Sequence, residues 1–257
     1  MTEEVKEEKV KKESLMNIEI DRKILLKFLS TVKGIVNRKS YIPILTSALF
    51  TAKENGIEVI TTDLEIWFQD FLPARIMESG SIAIPIQTLF NFVRELSSPI
   101  IKVSEKETNW VEISGGSSKF KFAGYLADDF PIPPESKDMK MVEMDESILS
   151  EMIRKTSPFV STEGGWKNLQ NILMEIVNKD KEDFLRMIAT DGHRLSLVDK
   201  KIFNNKGLVL EKGILIPKKG LMELNKILLK DGKQKKNQSK GFGLLQNKKA
   251  IVSLGIR

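Results

Sequence analysis

Apolar and polar positions along this chain follow two periods, and the order in which they follow is used twice. Met16-Asn17-Ile18-Glu19-Ile20 alternates with period two and predicts a half-buried strand. Asp21 then stands as an N-cap ahead of Ile24, Leu25, Phe28, Leu29 and Val32, one apolar face at helical spacing, with Gly34 as the stop. Strands are predicted at Ser47–Ala52, Ile57–Thr62 and Ile66–Phe71, the first two joined by the turn Glu54-Asn55-Gly56. A short strand at Ser81–Ile84 runs into a helix opened by Pro85, with Leu89, Phe92, Val93 and Leu96 on its apolar face. Strands at Ile100–Ser104, Trp110–Ser114 and Lys119–Phe122 follow. Gly115-Gly116-Ser117-Ser118 precedes no helix, so it predicts a hairpin turn and not a phosphate loop.

After the proline-dense Asp128–Pro134 the pattern starts again. Met141–Met144 predicts a strand, Asp145 caps a helix carrying Ile148, Leu149, Met152 and Ile153, and strands follow at Leu169–Val177 and Phe184–Ala189. Gly213–Ile216 runs into a helix opened by Pro217, with Leu221, Leu224 and Leu228 on one face, and Phe242–Leu245 and Ala250–Leu254 close the pattern as strands. Asp21 answers to Asp145, Thr61-Thr62-Asp63 to Ala189-Thr190-Asp191, and Ile84-Pro85 to Ile216-Pro217, at offsets of 124, 128 and 132. Such slow drift is what loop insertions produce between two copies of one unit. The expected organisation is a charged disordered extension over residues 1–15, a first domain over 16–138 and a second over 139–257, with an α+β fold in which two helices per domain pack on antiparallel sheets.

Composition narrows the chemistry. The 257 residues contain no cysteine, which excludes disulfides and thiolate chemistry, and a single histidine, which excludes a two-histidine metal site. Lys and Arg outnumber Asp and Glu by 41 to 35, a net charge of +6. That mild excess permits an acidic partner such as nucleic acid without demanding one; it fits an ordinary basic protein and also one that touches phosphates loosely without reading bases. The first 15 residues are charged throughout, unlike a signal peptide, and no apolar run reaches the roughly 20 residues of a membrane span, so a reducing cytoplasm is the expected compartment and no membrane partner is expected.

The lone histidine lies in Ala189-Thr190-Asp191-Gly192-His193-Arg194-Leu195. Asp191 and His193 beside a bend raise an enzyme reading. A general base needs an orienting partner and a pocket, the chain has no Gly-x-Ser-x-Gly elbow, and the matching Asp63 has no histidine nearby. No catalytic residue, metal or cofactor is therefore expected.

With the repeat in place, Ile42-Pro43-Ile44-Leu45, Thr62-Asp63-Leu64-Glu65, Ile84-Pro85, Ala127–Pro131, Phe159-Val160-Ser161-Thr162 and Ala189–Leu195 together resemble the beta subunit of bacterial DNA polymerase III, the sliding-clamp family. The resemblance runs from about Met16 to Leu254. It implies a DNA clamp fold and a non-catalytic processivity factor of DNA replication that slides on double-stranded DNA without sequence preference. The implied partners are the polymerase III alpha and clamp-loader subunits and other proteins bearing a clamp-binding motif. Family members have three such domains and form a head-to-tail homodimeric ring. The chain here is expected to be truncated, to hold the first domain and most of the second, and not to close a ring alone. The alternative is a clamp-like interaction scaffold that forms no ring.

The resemblance also implies sites. Arg38 and Lys39 fall on the DNA-touching loop ahead of Pro43, and Lys167 falls on the second such loop, over Glu163–Asn168. The polar helix faces add Arg22, Lys23, Lys27, Lys155 and Lys219 as DNA contacts. Leu169, Thr190, Gly192, His193, Arg194 and Leu195 map onto the groove that takes a partner's short linear motif, a groove the family completes with later residues. The bend at Asp191 is then one wall of a peptide groove.

Overall fold

The computed structural model describes residues 15–36, 41–107, 109–133, 140–161, 167–202, 213–231, 240–244 and 252–255. The chain divides into two compact units. It passes from the first to the second after Phe130, and the second also takes in described residues of 31–36 and 61–68.

In the first unit β1 (Asn17–Asp21) leads directly into α1 (Arg22–Val32). The reason is the predicted cap: Asp21 Oδ1 accepts from the amides of Lys23 and Ile24, at 2.8 and 3.1 Å. Then come β2 (Ser47–Lys53), β3 (Gly56–Thr62), β4 (Trp67–Pro73), β5 (Arg75–Glu78) and β6 (Ser81–Pro85). After α2 (Ile86–Glu95) the unit ends with β7 (Ile100–Glu107), β8 (Trp110–Gly115), β9 (Ser118–Ala123) and β10 (Tyr125–Leu126). They form two five-stranded sheets, β5-β1-β7-β8-β9 and β10-β6-β2-β3-β4. The predicted hairpin at Gly115-Gly116 is formed, with Gly116 at φ 62°.

The alternation read in the sequence becomes burial. Ile18, Ile20, Leu25, Leu29, Ile84, Leu89 and Val93 are all at most 1% exposed. Phe28 meets Phe50 edge to face at 6.3 Å, while Phe92 stacks on Phe120 at 4.3 Å. Strands β5 and β10 were not foreseen. Both are short, and β5 is nearly all exposed, so neither leaves a period of apolar positions.

The second unit repeats the plan with β11 (Lys140–Met144), α3 (Glu146–Thr156), β12 (Asn171–Lys179), β13 (Glu182–Thr190), β14 (Leu195–Lys201), β15 (Ile214–Pro217), α4 (Lys218–Asp231), β16 (Lys240–Leu244) and β17 (Val252–Gly255). Asp145 caps α3 as predicted, its Oδ1 accepting from the Ser147 amide at 2.7 Å. The sheets are β11-β16-β17 and β14-β13-β12-β15, all neighbours antiparallel. The turn into β13 carries Asp180 and Lys181 at φ 52° and 64°, the primed geometry of tight hairpins. Buried faces of α3 and α4 (Leu149, Met152, Ile153, Leu221, Leu224, Leu228) share one core with Ile172, Met174, Leu185, Met187, Ala189 and Ile216. Ser150 Oγ also donates to Asn225 Oδ1 at 2.7 Å, a polar tie between the two helices.

Two expectations are corrected here. Leu169 does not lie in a strand: Lys167–Gln170 is a 3-10 turn and the strand starts at Asn171. The Leu169 carbonyl is used by the Ser161 amide at 2.9 Å, which withdraws it from the β ladder. Strand β14 was not foreseen at all, because Leu195-Ser196-Leu197-Val198 blurs its alternation with an apolar residue on each face.

Candidate partner groove and basic helix faces

The turn between β13 and β14 is a side-chain-built loop. Thr190 Oγ1 donates to the Arg194 carbonyl at 2.8 Å and accepts from the Gly192 amide at 3.1 Å. Asp191 Oδ1 accepts from the amides of His193 and Arg194, both at 3.1 Å. Gly192 sits at φ 89°, where glycine is least strained. The first repeat builds the same loop bond for bond. Thr62 Oγ1 donates to the Ile66 carbonyl and accepts from the Leu64 amide, both at 2.8 Å. Asp63 Oδ1 accepts from the amides of Glu65 and Ile66 at 3.1 and 2.8 Å, and Leu64 takes the positive φ, at 75°. The Thr-Asp pair is therefore the device that closes this turn, and Asx and hydroxyl bonds of this kind are the usual means.

The second copy differs in what is added. Arg194 replaces Ile66 at the corresponding place. Its Nε donates to Asp191 Oδ2 at 2.9 Å and its Nη2 to the Pro158 carbonyl at 3.1 Å, with the guanidinium 5.0 Å from the centre of the Phe159 ring. Ser196 Oγ donates to the Lys155 carbonyl at 3.0 Å, one of the unpaired carbonyls at the end of α3. The bond from Arg194, together with the two amides, holds the Asp191 carboxyl down at about 2. Asp191 is thus a spent acceptor, ionised across neutral pH, and far from the poise of a general base.

Thr190 ends β13 and Asn171 begins β12, so Leu169 and residues 190–195 lie at one end of the four-stranded sheet. Leu169 and Thr190 are half-buried, while Gly192, His193, Arg194 and Leu195 are exposed, Leu195 by 60%. On the face away from the core, strand register aligns Leu197, Ile188, Leu173 and Leu215 straight across β14, β13, β12 and β15. Leu197 and Leu215 are 47% and 44% exposed, so this apolar row continues from Leu195. One row further, Asp199 accepts from Arg186 Nε and Nη2 at 2.8 and 3.0 Å, and Arg186 also meets Glu175 at 3.6 Å. The candidate residues named from the sequence therefore omit Pro158 and Phe159, which meet Arg194, and Leu197 and Leu215, which extend the apolar row. A parity count from Leu195 to Asp199 would have found Leu197; no sequence signal places Pro158 beneath Arg194.

The basic residues divide into two kinds. Lys23 and Lys27 are exposed on α1. Lys155 is exposed on α3 and paired with Glu151 at 2.6 Å, which also takes Lys200 at 2.8 Å. Arg22 is committed inward: its Nε and Nη2 donate to the carbonyls of Val93 and Arg94 at 2.9 and 2.7 Å and so cap α2. Lys219 likewise donates to the Ile35 carbonyl and to Asp63 Oδ2, all within the second unit. Arg38 and Lys39, the side chain of Lys167, and Trp166 lie outside the described residues. Among the described residues no cluster of His, Cys, Asp or Glu could hold a metal ion, and no helix is long and apolar enough to cross a membrane.

A repeated unit of two helices on antiparallel sheets, each copy closed by a Thr-Asp turn, defines a clamp-type protein, and comparison with known proteins agrees. Residues 16–134 match the family model for the DNA polymerase III beta subunit, N-terminal domain, and residues 143–239 match that for its central domain. The chain belongs to the DNA polymerase III beta subunit family. Among curated relatives, the beta sliding clamp of Caulobacter vibrioides is 32% identical over 216 residues, 83% of this chain and 57% of the relative. That of Vibrio cholerae is 28% identical over 218 residues, again 57% of the relative. The crystal structure of the Caulobacter crescentus beta sliding clamp superposes with a TM-score of 0.83 at 28% identity, covering 95% of this chain and 63% of that one. The Bartonella birtlesii clamp bound to griselimycin gives 0.83 at 28%, covering 94% and 63%. The chain thus spans about half the length of the curated relatives it matches.

Proposed function

We propose that this chain serves as part of a sliding clamp, a non-catalytic processivity factor that encircles double-stranded DNA in the cytoplasm and tethers the replicative polymerase. Matches to both the N-terminal and the central clamp domain, in order and covering most of the chain, carry this reading. DNA contact falls to Lys23, Lys27 and Lys155 on the helices and to Arg38, Lys39 and Lys167 on the loops. Arg22 and Lys219 belong to the same set, with donors engaged inside the fold as the Lys155 ammonium is by Glu151. Charges so dispersed attract phosphates without fixing a register, which sliding demands. Leu169, Thr190, Gly192, His193, Arg194 and Leu195 form the wall of a groove for an extended segment of the polymerase, of the clamp loader or of other partners. Turn-borne polar groups over an apolar floor suit that mode of binding. In the full assembly two copies join head to tail.

Topology gives the test. The native protein carrying this chain, loaded on a nicked circular plasmid by a clamp loader with ATP, should stay with the DNA through gel filtration at high salt and leave when the plasmid is cut once. Equal and brief retention on circular and linear DNA would show a scaffold that does not encircle.

A further inference from the structure

Both Thr-Asp turns close with the same four bonds, yet only the second carries an arginine. Ile66 stands in the arginine's place in the first. Backbone closure therefore needs Asp Oδ1 and the threonine hydroxyl, and does not need the bond from Asp191 Oδ2 to Arg194 Nε. That bond, the Pro158 carbonyl and the Phe159 ring fix one guanidinium from three sides, on a side chain that stays 61% exposed. Two of its five N–H groups are used, which leaves three donors held in one orientation at the rim of an apolar row. A free arginine on a surface would lose much side-chain freedom on meeting a ligand, whereas this one has already lost it.

We propose that Asp191 is a positioning residue of the partner groove, acting through Arg194 so that the guanidinium donates to a carbonyl oxygen of a segment docked in extended form. The inference rests on the groove reading above and adds to it the residue that orients the groove's main donor. Phe159 and the Pro158 carbonyl complete the seat. Asp191 itself touches no ligand.

A double-mutant cycle tests this, because a merely structural aspartate would act whether or not the arginine is present. The probe is a fluorescein-labelled decapeptide carrying the clamp-binding motif of a polymerase III alpha subunit, titrated by anisotropy against the native protein that carries this chain and its variants. Asp191→Asn keeps an oxygen for the His193 and Arg194 amides and removes the charge. It should weaken binding about tenfold, the worth of one well-placed charge-assisted bond. Arg194→Met should weaken it by a similar factor, and adding Asp191→Asn to Arg194→Met should cost less than about twofold more. Equal losses from Asp191→Asn in both backgrounds, or no loss in either, would overturn the positioning role while leaving the groove in place. No effect of Arg194→Met would overturn it too. No binding by the unmodified native protein would remove the groove reading itself, and the inference with it.

Discussion

Replacing Asp199 by asparagine removes one charge from β14, the edge strand that follows the Thr190-Asp191 turn. Asp199 accepts two bonds from Arg186, at 2.8 and 3.0 Å, and one from Lys179 at 2.5 Å. Its side chain is 15% exposed and that of Arg186 20%, so the pair is well shielded, whereas Lys179 is 48% exposed and adds little. The hydrogen bonds from Arg186, ahead of those from Lys179, lower the Asp199 carboxyl from 3.8 to about 2. At 1.36 kcal/mol per pKa unit that amounts to about 2.4 kcal/mol, and solvent over the open sheet face reduces it to about 1.5 kcal/mol. A folded-state pKa below the unfolded value stabilises the fold above the unfolded pKa, and the gain is lost as pH falls through the folded one. Asp199→Asn should therefore lower stability by about 1.5 kcal/mol at pH 7. The gap to the unmodified chain should shrink by about half at pH 3, where the unfolded carboxyl is mostly protonated and the folded one is not. Urea unfolding at pH 7, 5 and 3 measures both. A gap that stays constant down to pH 3, or one below about 0.5 kcal/mol at pH 7, would refute the reasoning.

Other expectations follow from single contacts. Gly192→Ala meets no atom within 4 Å of the added Cβ, so it should cost only the strain of φ 89°, about 1 kcal/mol in thermal unfolding. Leu64→Gly, at the matching place in the first repeat, should change stability by a similar amount in the opposite direction. Arg22→Ala should destabilise the fold by about 1–2 kcal/mol through the two α2 carbonyls it leaves bare. Lys23→Ala should leave stability unchanged and reduce the salt slope of DNA binding by roughly one ion. Met187→Ala, at a fully buried position, should cost about 2–5 kcal/mol by calorimetry or urea unfolding.

The repeat was legible because both copies keep the residues that start and stop elements. Asp21 and Asp145 cap helices, Pro85 and Pro217 precede them, and the apolar faces between them are buried as spaced. The Thr-Asp turn was legible as a bend, but its bonds were not. That Leu64 and Gly192 share a positive φ can be seen only with the backbone in hand. What stayed hidden depends on long-range register. The row Leu197, Ile188, Leu173 and Leu215 joins four strands that are far apart in sequence, and Arg194 meets a carbonyl 36 residues away. The sequence also showed every basic side chain alike. Only packing separates Lys23, on an exposed face, from Arg22 next to it, turned onto the end of α2.

Processive synthesis tests the central claim most directly. Polymerase III core, clamp loader and ATP are given a primed single-stranded circle several thousand nucleotides long, with and without the native protein that carries this chain. The clamp reading predicts full-length products after a single binding event only when the protein is present, and short products when it is omitted. Short products of equal length in both reactions would contradict it.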